Sequence, residues 1–195
     1  ARNPHTLGAL PVASQGLAAW TQVIAARTAG FTSMDVGQLY DSSRFLLTGL
    51  MFIGGGSLST TSGIKLATFI VLLAVVRAYI LQRKEVVLMH RTIAPETIQK
   101  ALALMMVSGL LVCLGIFLVS LFENQPFIAV VMEVMSAFTT TGISPDLTRT
   151  LSLPSQTVLI LLMFIGRLGP LTLVYSLGTQ RRSRVRYPET VVQIG

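Results

Sequence analysis

The chain has little of the chemistry that enzymes and metal proteins use. It contains one cysteine, Cys113, and two histidines, His5 and His90, which lie far apart in the sequence. A single cysteine cannot form an intrachain disulfide or a thiolate metal site, and separated histidines make no ligand cluster. The apolar segments also contain no pair of acidic residues, so the sequence does not favour an enzyme.

Charge is scarce as well. Charged residues make up 12% of the chain and hydrophobic residues 52%, and the mean hydropathy is +0.69. Ordinary soluble domains are about 25% charged. The segment Ala101–Phe122 carries no charge, and as a helix it would span roughly 33 Å, enough for a bilayer core of about 30 Å. The composition therefore predicts an all-α membrane protein.

The charges that are present lie at the ends of apolar segments. Basic residues concentrate in 77–100 and 179–195, whereas 123–153 contains one arginine against three acidic residues. The positive-inside rule places 82–100 and the C-terminal tail in the cytoplasm and 123–153 outside. The net charge of +7 does not indicate nucleic-acid binding, because almost no soluble surface remains for it. The basic tail is instead expected to contact anionic lipid headgroups.

The sequence repeats a short pattern. Gly30 and Gly142 are 112 positions apart, and so are two copies of LMFIG at 50–54 and 162–166. A polar turn with one glycine precedes each copy at the same distance. This pattern predicts one structural unit built twice, with a site where the units meet. The alternative is a chance match between apolar segments that use few residue types.

Two apolar segments are too short to cross a membrane. Ser14–Ala26 and Pro126–Phe138 would each be about 20 Å long as helices, and each leads into one glycine turn. A short helix followed by a polar turn is typical of a re-entrant pore loop, which is tolerated at membrane depth only beside water, ions or protein. The negative C-terminal ends of two such helices favour a cation between them. The alternative is an interfacial amphipathic helix with an ordinary turn.

Region 45–81 is too long for one spanning helix. Its centre, Gly54–Lys65, has four glycines and five hydroxyl residues in twelve positions, which disfavours helix. We predict two half-helices joined by a polar loop that acts as a movable plug below the ion site. The alternative is a passive kink. The loop is not a phosphate-binding P-loop, because Gly63 is followed by Ile64 rather than lysine and no strand precedes it.

Arg167 lies near the middle of the apolar segment 155–178, where a charge costs about 2.5 kcal/mol or more. Gly166, Gly169 and Pro170 surround it, so we expect a bent or closely packed helix there. A positive charge below a cation site could act as a gate or latch. The alternative is a buried arginine that pairs with carbonyl groups.

Four motifs resemble those of the Trk/Ktr/HKT superfamily of potassium transporters. They are RTAGF at 27–31, FIGGGSLSTTSGIK at 52–65, SAFTTTGIS at 136–144 and MFIGRLGPLT at 163–172. The most similar type is the ion-conducting membrane subunit of a Ktr-type system. The resemblance implies four helix–pore loop–helix repeats around a central ion pathway, and this chain resembles the C-terminal half, with two repeats of which the first is incomplete. The chain also begins without methionine, in a polar stretch, so we expect a fragment of a longer polypeptide.

The resemblance also implies which residues form the site. Backbone carbonyls would bind potassium in a selectivity filter at Thr28, Ala29, Gly30, Phe31, Thr140, Thr141, Gly142 and Ile143. An intramembrane gating loop with the family's gate-side arginine would comprise Gly54, Gly55, Gly56, Ser57, Ser59, Thr60, Thr61, Ser62, Gly63, Lys65 and Arg167. Each filter turn has one glycine, unlike strict potassium channels, so the degree of selectivity against sodium stays open.

The resemblance implies a homodimer with a cytoplasmic nucleotide-binding regulatory subunit, and no cofactor on this chain. The expected organisation is a third-repeat pore loop and broken helix at 1–81, a cytoplasmic linker at 82–100, a fourth repeat at 101–178 and a basic tail at 179–195. The predicted function is potassium uptake across the plasma membrane, with sodium as a candidate coupled ion. The alternative is a non-conducting membrane scaffold.

Overall fold

The computed structural model describes residues 8, 11–27, 30, 35–56, 62–83, 85–88 and 91–169. Predictions that fall on 28–29, 31–34, 57–61 and 170–195 lie outside these residues. The described part contains six α-helices and one antiparallel pair of two-residue strands. In chain order they are α1 (Val12–Ala25), α2 (Asp41–Phe52), α3 (Leu66–Ile80), β1 (Val87–Leu88), β2 (Arg91–Thr92), α4 (Pro95–Phe122), α5 (Phe127–Thr139) and α6 (Leu153–Leu168).

Helix α4 is the long apolar helix that the sequence predicts. With 28 residues it is, within the described part of the chain, the one helix long and apolar enough to cross a membrane. It begins six residues before Ala101 because Pro95 occupies the first turn, where its missing N–H is not needed. One face, including Ser108, Val112 and Val119, is buried, while Leu110 on another face is 67% exposed. This division suits a helix with one protein-facing and one lipid-facing side.

Helix α5 is the centre of the fold. It packs against α2, α4 and α6, and nine of its 13 residues are buried. Its apolar residues therefore make contact with other helices on most sides. The predicted short helix Pro126–Phe138 is confirmed, shifted by one residue.

The predicted break in 45–81 is also confirmed. Helices α2 and α3 are separated by residues 53–65, whose two ends pair with each other. The Gly54 N–H donates to the Ile64 carbonyl at 2.8 Å, and the Leu66 N–H donates to the Gly55 carbonyl at 3.1 Å. Ile53 and Ile64 form a parallel bridge. The connection is therefore a loop closed at its base rather than a kink within one helix.

The sequence interpretation did not specify two features of the structure. The 82–100 region contains the β1–β2 hairpin, with Val87 opposite Thr92, and also the first turn of α4. Helix α6 ends at Leu168, and Gly169 leaves helical geometry with φ 83° and ψ 120°. A residue before proline is disfavoured in the helical region, and Pro170 follows Gly169 in the sequence. Arg167 consequently lies in the last turn of α6, beside the glycines around which a bent or closely packed helix was expected.

Candidate functional site

The two glycine turns meet in space. Gly30 and Gly142 have φ values of +72° and +80°, a conformation that glycine adopts without the steric cost other residues have. A Cβ placed on Gly142 would lie 3.8 Å from the Gly30 Cα, and one on Gly30 would lie 3.4 Å from the Thr141 carbonyl oxygen. Residues 112 positions apart are thus neighbours. Of the other residues predicted for the filter, Thr28, Ala29 and Phe31 lie outside the described residues.

The turn at Gly142 exposes backbone rather than side chains. Thr141 and Ile143 are buried at 2% and 0% exposure, whereas Gly142 between them is exposed. The Thr139 hydroxyl donates to the Met135 carbonyl at 2.8 Å, so its 2.7 Å contact with the Thr141 hydroxyl uses the hydrogen of Thr141. The hydroxyls of Thr139 and Thr141 are therefore bonded within the protein.

Thr140 holds an unusual backbone conformation at the end of α5. Its φ is 52°, in the left-handed region, which β-branched residues rarely adopt. The Thr140 N–H donates to the Ala137 carbonyl at 3.2 Å and the Thr141 N–H to the Ser136 carbonyl at 3.0 Å. This pair of bonds is a Schellman motif, which ends the helix and redirects the chain toward Gly142.

The polar loop reaches the same turn. The Thr140 hydroxyl donates to the Ser62 hydroxyl at 2.9 Å. A Cβ on Gly63 would lie 3.2 Å from the Thr139 methyl carbon and 3.3 Å from the Phe52 carbonyl oxygen. The structure therefore brings the end of the predicted gate against the predicted filter.

The remaining residues predicted for the gate are distributed along the loop. Gly54 is buried, Gly56 is exposed, and Lys65 is exposed at the start of α3. Four hydroxyl residues of the loop lie outside the described part of the chain: Ser57, Ser59, Thr60 and Thr61.

Helix α6 approaches the end of α5 from another side. A Cβ on Gly166 would lie 1.9 Å from the Phe138 carbonyl oxygen, which no side chain could satisfy without backbone movement. The predicted close packing at Gly166 is confirmed. Arg167 follows it and is exposed.

One apolar cluster supports both turns. Ala25 and Ala26 at the end of α1 pack with Met51 of α2, Met132 of α5 and Ile143 beyond Gly142. Ile143 and Met132 are each 0% exposed. The relative position of the two glycine turns therefore depends on side chains from both halves of the chain.

Two carboxylates, neither assigned a site role in the sequence interpretation, form hydrogen-bonded clusters. Glu133 on α5 is 5% exposed and accepts from the Ser144 hydroxyl at 2.7 Å and from the Thr148 hydroxyl. A carboxylate inside an apolar helix is the signal that could have identified it, since a buried acid needs polar partners. Its partners, 11 and 15 positions later, are not predictable from a helical period.

Glu123 forms the second cluster where α4 ends. It accepts from the Ser152 hydroxyl at 2.6 Å and from the Ser152 N–H at 2.7 Å, and so links the end of α4 to the start of α6. The Ser152 hydroxyl, the Ser152 N–H and then the Ser155 hydroxyl lower the pKa of the Glu123 carboxyl from its usual 4.5.

Comparison with known proteins gives a consistent result. Residues 2–179 match the TrkH family, described as cation transport protein. The chain is 44% identical over 193 residues to Ktr system potassium uptake protein B of Bacillus subtilis, covering 99% of this chain and 43% of that protein. It is 42% identical over 193 residues to the Vibrio alginolyticus protein of the same name, covering 99% and 42%.

A third relative is the potassium/sodium uptake protein NtpJ of Enterococcus hirae. It is 35% identical over 176 residues, which cover 87% of this chain and 39% of that protein. The chain spans about two fifths of the length of these relatives.

Proposed function

The chain belongs to the TrkH family of cation transport proteins, and we propose that it contributes two of the four repeats of a potassium uptake pathway in the plasma membrane. The names of the relatives support potassium as the transported ion. A membrane location agrees with α4. Sodium is proposed as the candidate coupled ion, and uptake measured with and without sodium tests this.

The selectivity filter is proposed to comprise Thr28–Phe31 and Thr140–Ile143. The observation that carries this proposal is the contact between Gly30 and Gly142, both with positive φ. Potassium sites in filters are made of backbone carbonyls that replace water around the ion. Helix α5 ends at this turn, so its partial negative charge favours a cation there.

The gate is proposed to be the loop Gly54–Lys65 together with Arg167. The hydrogen bond from Thr140 to Ser62 supports this assignment. A loop that is hydrogen-bonded to the filter turn lies close enough to block ions that leave the filter. The closed base between Gly54 and Ile64 would let the loop move while α2 and α3 stay in place.

The remaining organisation is proposed from family membership. The segments 1–81 and 101–178 would form the incomplete third and the complete fourth helix–pore loop–helix repeats, with 82–100 and 179–195 in the cytoplasm. Partners would be a second copy of the whole protein, membrane lipid and a nucleotide-binding regulatory subunit. Cofactor chemistry would belong to that subunit.

Ion flux tests the filter. In liposomes that contain the complete transporter, Gly142→Ala should strongly reduce rubidium or potassium uptake and the preference over sodium, because alanine disfavours φ near +80°. Gly109→Ala is the matched control, since a Cβ there meets nothing within 4 Å. Wild-type uptake and selectivity in Gly142→Ala would contradict the filter assignment.

A non-conducting scaffold is the competing function. Potassium should raise the unfolding temperature of a transporter that binds it, because a ligand at one hundred times its dissociation constant adds about 2.7 kcal/mol to the free energy of unfolding. A scaffold would show neither uptake nor potassium-specific stabilisation relative to choline.

A further inference from the structure

Glu133 is a buried acid for which the proposed pathway provides no role. Its side chain is 5% exposed and lies on α5 among apolar residues. The two carboxyl oxygens accept from different hydroxyls: Oε2 from Ser144 at 2.7 Å and Oε1 from Thr148. Burial of a carboxylate is unfavourable unless such bonds compensate it, so the cluster needs a specific explanation.

The position of this cluster suggests what it does. Glu133 lies in the helix that leads into the glycine turn, and Ser144 lies two residues after Gly142. Thr148 begins the 3₁₀ turn Thr148–Thr150. The carboxylate therefore connects the chain before the turn to the chain after it. Such a connection limits how far the two sides of the turn can separate.

At the other glycine turn, the described counterparts of Glu133 and Thr148 do not form this connection. The residue 112 positions before Glu133 is Thr21, which is exposed and donates to the Ala18 carbonyl of its own helix at 2.9 Å. The residue 112 positions before Thr148 is Val36, which has no hydroxyl. The repeat thus conserves the glycine but not the carboxylate cluster.

We propose that Glu133 is a positioning residue for ion selectivity. It acts through Ser144 and Thr148, which hold the segment after Gly142, and it does not touch the ion. Discrimination between potassium and sodium depends on the number and arrangement of carbonyls that the filter maintains. A less restrained turn adapts to the smaller ion, so loss of the cluster lowers selectivity more than it lowers total flux. This inference rests on the proposed potassium pathway.

The test uses the complete transporter in liposomes, with rubidium uptake measured against increasing sodium. Glu133→Ala and the double variant Ser144→Ala with Thr148→Val each remove both hydrogen bonds of the cluster. Each should lower the preference for rubidium by about tenfold or more. Glu133→Gln should lie between these and the wild type, because its amide keeps one accepting oxygen. Thr148→Ser keeps the hydroxyl that bonds Glu133 and should therefore retain wild-type behaviour.

Glu123→Gln is the matched control. Glu123 forms a similar cluster with Ser152, but at the junction of α4 and α6. Its substitution should leave the rubidium preference unchanged even if the unfolding temperature falls. A control variant that lost selectivity equally would overturn the specific role of Glu133.

The outcomes are separable. Wild-type rubidium preference in both Glu133→Ala and the double variant would overturn the inference and leave Glu133 a purely structural residue. If Glu133→Ala does not fold, Ser144→Ala and Thr148→Val as single variants decide the question in the same assay. Absence of potassium uptake by the wild-type protein would overturn the proposed function itself, and this inference with it.

Discussion

The two short helices that lead into the glycine turns have the same place in the repeat but different surroundings. On α5, Phe138 is 0% exposed and most other residues are buried, whereas on α1 Trp20 is 65% and Leu17 is 67% exposed. Helix α5 is enclosed by α2, α4 and α6. Within the described part of the chain, α5 is therefore the more enclosed of the two short helices.

Polar side chains follow the same contrast. Glu133 on α5 accepts hydrogen bonds from the hydroxyls of Ser144 and Thr148. Gln22 on α1 is 6% exposed, and its side-chain oxygen and nitrogen have no hydrogen-bond partner within the described part of the chain. A buried amide without partners costs about 1–3 kcal/mol. We therefore expect Gln22 to be bonded in the complete transporter.

The largest expected effect is the difference in stability loss between substitutions of Phe138 on α5 and Trp20 on α1. Phe138→Ala should lower the free energy of unfolding by about 3–5 kcal/mol, because it opens a cavity in the enclosed helix. Trp20→Ala should change it by less than about 0.5 kcal/mol. Thermal unfolding of the 195-residue chain in detergent measures both. Equal losses would remove the contrast between the two helices.

Gly166 is expected to have the next largest effect. Gly166→Ala places a Cβ 1.9 Å from the Phe138 carbonyl oxygen and should destabilise the α5–α6 contact by about 3 kcal/mol. Gly49→Ala in α2, where a Cβ meets nothing within 4 Å, should be tolerated. Size-exclusion chromatography after heating compares the two. If they resist heating equally, the close approach of α6 to α5 is wrong.

Part of this fold could be predicted from the sequence. The existence of α4, the length of α5, the break between α2 and α3, and the relation of Gly30 to Gly142 followed from hydropathy and the repeat. The β1–β2 hairpin did not, because two-residue strands such as Val87–Leu88 leave no periodic pattern. The glycines around Arg167 indicated an irregular helix there, but they did not specify that α6 ends at Leu168.

The side-chain clusters were the part of the candidate site that sequence patterns could not supply. Ser144 and Thr148 approach Glu133 only because the chain reverses at Gly142, and Ser62 meets Thr140 only because the loop closes at its base. Both contacts join residues that no helical or strand period brings together.

A smaller effect is expected from the contact between the loop and the second turn. Ser62→Ala removes the acceptor of the Thr140 hydroxyl, a bond worth about 1 kcal/mol. If the loop is the gate, resting potassium leak from liposomes should rise several-fold while selectivity is kept. Thr68→Ala, a hydroxyl loss in α3, serves as control. A leak identical to that of the wild type would argue for a passive loop.

The smallest expected effect is a pH dependence of the unfolding temperature, caused by Glu123 at the junction of α4 and α6. Hydrogen bonds from Ser152 lower the pKa of Glu123 below 4.5. The stabilisation is therefore complete above pH 4.5 and is lost as the pH falls through the lower pKa of the folded state. The unfolding temperature of Glu123→Gln should approach that of the wild type as the pH falls. A constant difference between the two proteins at every pH would contradict this assignment.

The location of a bound ion tests the central claim most directly. Crystals of the complete transporter grown with rubidium should show anomalous density between the backbone carbonyls at Gly30 and Gly142. Rubidium density elsewhere in the membrane, with none at the two glycine turns, would contradict the account.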